Sequence, residues 1–162
     1  MAGCFVAPRV GTGNLASSFE KALVDQARGA ESLLGNVPTG KTVASIPNGS
    51  RSLSGWGRTA NYIDADDAVR RSMQLSEEIG HPLRGAGAMD QGVPGRYYAS
   101  HAEKQLAATN PNVPIAVSRE MCSDCQVWFS RLAKYRNQSQ VVADPYWVRI
   151  FRPDGHVVEI PR

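Results

Sequence analysis

The sequence predicts an α/β domain built on a mixed sheet whose last strands run antiparallel. Three observations carry this. Segments with apolar residues at helical spacing alternate along the chain with short segments of strand character. The closing segments "SQVVA", "YWVRIF" and "HVVEIP" read as three strands, and only "DPY" separates the first two, too short a connection for a parallel crossover. With 162 residues, 42% of them hydrophobic and 20% charged, the chain suffices for one domain with a buried core and is too short for two of comfortable size.

Taken in order, residues 1–18 are rich in Gly, Ser and Ala without periodicity, and are expected to be a flexible arm or linker remnant ahead of a single domain spanning 19–162. "SSFEKALVDQARGAESLLG" places Phe19, Leu23, Ala27, Ala30 and Leu34 at helical spacing, with Ser18 as N-cap and Gly35 as stop. "KTVASIP", "NGS" and "RSLSGWGR" predict a β-hairpin. "DADDAVRRSMQLSEEIG" has an acidic start, apolar Val69, Met73 and Ile79, and a closing Gly80, which predicts a second helix. A Gly-rich loop of the kind that often serves a site follows, from Gly80 to Gly95. Then come a helix in "HAEKQLAAT", a short buried strand in "NVPIAVS", and a helix in "CSDCQVWFSRLAKYR" whose Val127, Phe129, Leu132 and Ala133 face a core. "RPDGH" supplies the turn before the last strand.

Residues 35–42, "GNVPTGKT", match the pattern of a phosphate-cradling loop. That loop works because a strand enters it and a helix leaves, so that amides and helix dipole converge on phosphate. Here a helix enters and a strand leaves, and Pro38 removes an amide from the middle. The segment is therefore read as a helix-to-strand turn.

A net charge of +3 permits a polyanionic partner without arguing for one. No run approaches the length of a membrane span, so no membrane association is expected, and the opening residues lack the form of a signal peptide. Three cysteines, two of them in "MCSDC" and the third at Cys4, do not make a disulfide framework.

The chemistry concentrates in "SHAEKQ" and "MCSDC". His101 and Glu103 flank one alanine, and Cys122 and Cys125 follow, giving H-x-E and then C-x-x-C. A C-x-x-C alone serves equally as a redox pair or half of a structural zinc knuckle, and a lone histidine as a packed polar residue. A redox pair needs neither His101 nor Glu103. A closed structural site needs a fourth thiol or imidazole, for which Cys4, His81 and His156 are the spare candidates, none in a second metal-like pair. Two thiolates and one imidazole instead leave a tetrahedral Zn²⁺ with an open position for water, and Glu103 sits close enough to move protons without being a ligand. The four-point pattern is the signature of zinc nucleobase deaminases, and this reading is favoured over the other two.

From Tyr98 onward the chain resembles the zinc-dependent cytidine deaminase superfamily, and within it the DYW-type domains and bacterial polymorphic-toxin deaminases. The likeness rests on "SHAEKQLA", "SREMCSDCQVWFSRLA" and "VVADPYWVRIFRPDG". It implies a three-layer α/β/α sandwich around a mixed sheet, Zn²⁺ on His101, Cys122 and Cys125, and Glu103 as proton shuttle. Met121 stands where most members have proline, although the DYW-type group also tolerates another residue there. No cysteine follows Cys125 to build the second metal cluster of plant DYW domains and no RNA-reading repeats are seen upstream, and these two absences turn the expectation toward the toxin branch. The expected activity is conversion of cytosine to uracil in nucleic acid, single-stranded DNA ahead of RNA, by a monomeric toxin domain of a secreted effector acting in a recipient's cytoplasm. A cognate immunity protein is expected over the mouth of the site. The alternatives are a deaminase of RNA or of free nucleosides or nucleotides, with an ordinary cytoplasmic location, and a non-catalytic zinc-stabilised binding module. Substrate contacts are expected at Arg96, Tyr98 and Ala102. Trp56, Asn61, Tyr146, Trp147 and Arg149 are weaker candidates, since strand aromatics usually pack.

Overall fold

The computed structural model describes residues 9–10 and 17–162. Most of the expected N-terminal arm, Cys4 included, lies outside the described residues. Along the chain run β1 (Arg9–Val10), α1 (Ser18–Glu31), β2 (Val43–Ser45), β3 (Arg51–Leu53), α2 (Ala65–Glu78), a 3₁₀ turn (Gly87–Asp90), α3 (Arg96–Ala99), α4 (Ala102–Thr109), β4 (Ile115–Val117), α5 (Ser123–Arg136), β5 (Gln140–Ala143), β6 (Trp147–Phe151) and β7 (Val157–Pro161).

Six strands form a mixed sheet in the order β7-β6-β5-β4-β2-β3, and β1 adds a short parallel seventh beside β7. Within the six, β4 and β5 are parallel and every other pair is antiparallel, including β5–β6 across the "DPY" connection and β6–β7 across "RPDGH". The strands' two-residue period divides the core between two faces. On one face Leu23, Val24 and Ala27 of α1 pack on Val141, Ala143, Val148, Ile150 and Val158. On the other, α2, α4 and α5 bring Leu75, Leu106, Trp128, Phe129 and Leu132 against Ile115, Val117, Val142 and Phe151. The result is the expected three-layer α/β/α sandwich.

Several helices sit in a different register from the one the apolar residues suggest. Ser17, not Ser18, caps α1 by accepting the Glu20 amide at 3.2 Å, and the helix ends at Glu31, ahead of Gly35. Its buried face is Glu20, Leu23, Val24, Ala27 and Ala30, whereas Phe19 is exposed and Leu34 half-buried. The Arg152 guanidinium, 3.2 Å from the Glu20 carboxylate, holds that acid at the core edge. In α2, Asp64 caps the start through the amides of Asp66 and Asp67, and Ser72 and Ser76 share the buried face with Val69, Leu75 and Ile79. Met73 stays half-buried. Ser76 is buried because its hydroxyl accepts the indole N–H of Trp128 at 2.8 Å. In α5, Trp128 replaces the expected Val127 in the core. Residues 35–42 form the helix-to-strand turn, with Gly35 and Gly40 at φ 66° and 75°. Among the described residues no helix is long and apolar enough to cross a membrane.

Candidate active site

Both halves of the cysteine–histidine pattern fall at helix N-termini. His101 is the N-cap residue of α4 and Cys122 that of α5, with the Cys122 sulfur accepting the Cys125 amide at 3.4 Å. Because β4 lies between these helices in sequence and is short, the chain returns to the same end of the sheet, and the two helix starts meet. His101 Nδ1 lies 3.2 Å from Cys125 Sγ and 3.5 Å from Cys122 Sγ. The ligand atoms of all three residues lie within 4.8 Å of one another, close enough to share one metal ion. Among the described residues no fourth histidine, cysteine or acid joins the group. His81 is bonded to Asp124 and His156 to Asp154.

The electrostatics favour a cation here. Its hydrogen bond to the Cys125 thiol, and then the His101 imidazole, hold the Cys122 thiol at about 4 against the cost of burial. Burial keeps the Cys125 thiol high. For His101 burial opposes the charged ring, but the Cys122 thiolate and the Glu103 charge outweigh it and raise its pKa. A proton shared between one imidazole and one thiolate is what an incoming metal displaces. Soft sulfur with imidazole in a three-ligand set suits zinc chemistry with a position left over.

These groups open onto a cavity of about 730 Å³, within the range of small-ligand sites. His101, Cys122, Ala102 and the buried Glu103 lie along its wall. So do Trp56 and Tyr97. A depression of about 400 Å³ at Arg58–Asp64 holds none of the chemistry.

The expected substrate contacts divide. Ala102 is on the cavity wall and wholly buried, with Ser52 Oγ donating to its carbonyl at 2.7 Å. Tyr98 packs behind His101, 5.5 Å between ring centroids, while its neighbour Tyr97 faces the cavity. Arg96 lies over the Trp56 ring at 4.2 Å and donates to the carbonyls of Asp90 and Gln91. It therefore stiffens one wall. Asn61, Tyr146, Trp147 and Arg149 lie away from the cavity, and Arg149 is buried on Asp144 and Glu159.

The sequence reading missed a second group. Lys104, wholly buried beside Glu103, bonds the Asp124 carboxylate and donates to the Tyr98 carbonyl at 2.9 Å. Asp124 also meets His81 Nε2 at 2.9 Å. Burial opposes the Asp124 charge, but His81 and Lys104 hold its carboxyl well below the usual range. This group ties α4 and α5 to the chain just after α2. An acid between the two cysteines of "MCSDC" was the available signal.

With this geometry in place, comparison with known families gives one finding. Residues 51–107 match the family model described as "Single-strand DNA deaminase toxin A, C-terminal". The matched stretch is about a third of the chain, runs from β3 through most of α4, and carries His101 and Glu103 while ending before the two cysteines. No curated protein matches the chain.

Proposed function

We propose that this chain is a zinc-dependent deaminase that converts cytosine to uracil in single-stranded DNA, as a toxin domain of a secreted bacterial effector and beside the DYW-type branch of the superfamily. The observation that carries the reading is the His101–Cys122–Cys125 group, which reaches through His101 and Cys122, together with Glu103, a cavity large enough for a base. The match of residues 51–107 to a deaminase toxin model supports both the chemistry and the DNA substrate.

Zn²⁺ held by the three side chains would supply Lewis-acid activation of water. The rest falls to the chain's own residues. Glu103 takes a proton from the attacking water and passes it to the cytosine ring nitrogen as the C4–O bond forms. It then takes the remaining proton from the new C4 hydroxyl and delivers it to the exocyclic amine, so that the C4–N bond breaks, the C4 carbonyl forms and ammonia leaves. Tyr97 and Trp56 give the base an aromatic wall. We place the domain as a monomer acting in a recipient's cytoplasm, with an immunity protein seated over the cavity mouth.

Glu103→Gln tests the shuttle. Uracil formation in single-stranded DNA should fall at least about 10²- to 10⁴-fold while bound zinc per chain and melting temperature hold. Sequencing of single- and double-stranded DNA and RNA after incubation, with free deoxycytidine in parallel, tests the substrate. Turnover retained in Glu103→Gln, or confined to free deoxycytidine, would overturn the proposal.

A further inference from the structure

The "GNVPTGKT" turn leaves a side chain at the cavity that the chemistry does not use. The Lys41 amide is spent within the turn, donating to the Pro38 carbonyl at 3.0 Å, so the backbone offers no phosphate cradle. The side chain reaches instead across the end of the hairpin, where Nζ donates to the Ser54 carbonyl at 3.1 Å. It remains exposed and lines the cavity.

A second cation joins it through sheet register. Strand β2 pairs antiparallel with β4, Ala44 opposite Val117, and the Ser118 amide extends the ladder by donating to the Val43 carbonyl at 2.9 Å. Continued one step further, this register sets Thr42 opposite Arg119, so Lys41 and Arg119 leave neighbouring chain segments at the same end of the sheet. Arg119 is exposed, lines the cavity and has no ion-pair partner among the described residues. Glu120 lies beside it on the same lip without a bond to it.

We propose that Lys41 and Arg119 form a cationic lip that grips backbone phosphates of the strand whose base enters the cavity. The inference rests on the nucleic-acid reading above and adds to it the residues that favour a polymer over a free nucleoside. Among the described residues the Lys41 side chain is bound only by one carbonyl and Arg119 by nothing with opposite charge, so both can turn to phosphate at little cost. Glu120 opposes the same contact.

Binding of a labelled single-stranded DNA oligonucleotide to the Glu103→Gln protein, across a salt series, tests the lip. Lys41→Ala and Arg119→Ala should each weaken binding about 3- to 10-fold, and the double variant should make the slope of log affinity against log salt shallower by about 1.4. Lys41→Arg should retain the slope, and Glu120→Gln should tighten binding. Should Lys41→Ala melt early through loss of the Ser54 contact, Arg119→Ala, which breaks no side-chain bond among the described residues, decides. Folded variants with the parent's affinity and slope overturn the lip alone. A parent that ignores the oligonucleotide, with wild type acting only on free deoxycytidine, overturns the lip and the proposed function together.

Discussion

Met121 gives its amide N–H to the Asp144 carboxylate at 3.0 Å, and the same carboxylate meets Arg149 at 2.5 Å and accepts the amides of Tyr146 and Trp147. The turn after β5 therefore anchors the approach to Cys122. Proline, common at this position in the family the sequence resembles, has no N–H to give. Met121→Pro should cost about 1–3 kcal/mol, read as a lower urea midpoint, whereas Met121→Leu keeps donor and bulk and should cost less than about 1.5 kcal/mol. Equal midpoints for the two would show the bond to be idle. His101, Glu103, Cys122 and Cys125 were legible because their spacing is short and their chemistry narrow. Asp144 and the Lys104–Asp124–His81 group were not, because their meaning lies in partners distant in sequence, His81 and Asp124 being 43 positions apart. Tyr97 and Tyr98 are adjacent and alike, and only the turn of α3 decides which of them faces the cavity.

The Gly-rich loop between α2 and α3 owes its shape to Asp90, whose carboxylate accepts the amides of Ala86 at 2.7 Å, Tyr97 at 2.9 Å and Gly95 at 3.1 Å. Those donors, Ala86 and Tyr97 foremost, draw its carboxyl below the ordinary carboxylate value. The folded pKa is thus lower than the unfolded value of about 3.9, so the stabilisation is complete above roughly pH 4 and fades as pH falls through the folded value. Amide exchange across 86–97, corrected for intrinsic rates, should rise on acidification below about pH 4, and Asp90→Asn should raise it at neutral pH. Protection indifferent to both would refute the pin. The loop's glycines and length marked it as the kind of segment that often serves a site, but its organising acid was not legible. In α1 the Ser17-x-x-Glu20 spacing held the true start, masked by the apolar Phe19. In α2 two buried serines broke the apolar stripe, since one is paired with an indole that only tertiary packing supplies.

The whole molecule works as a sheet with its reactive groups gathered at one end, where α4 and α5 begin side by side. A metal shared by His101, Cys122 and Cys125 would clamp these two helices, so binding belongs to the folded state and adds to its stability. At a free zinc level of about 100 times Kd the gain is about 2.7 kcal/mol, or roughly 5–10 °C in Tm for a domain of this size. Calorimetry with and without a chelator should show that shift in wild type and lose most of it in Cys125→Ser. Identical scans would mean that no ion is held. The fold class was legible from the alternation of patterns and from the "DPY" connection, because such constraints are local. The seating of three helices on one face and one on the other depends on side-chain shape and had to be seen.

Trp56 is the one tryptophan of three on the cavity wall, held by Arg96 on one side, while Trp128 is sealed in the interior and Trp147 lies elsewhere. The protein thus carries its own optical gauge. With Trp128 and Trp147 replaced by phenylalanine, the remaining emission would report arrivals and departures directly, without an attached dye.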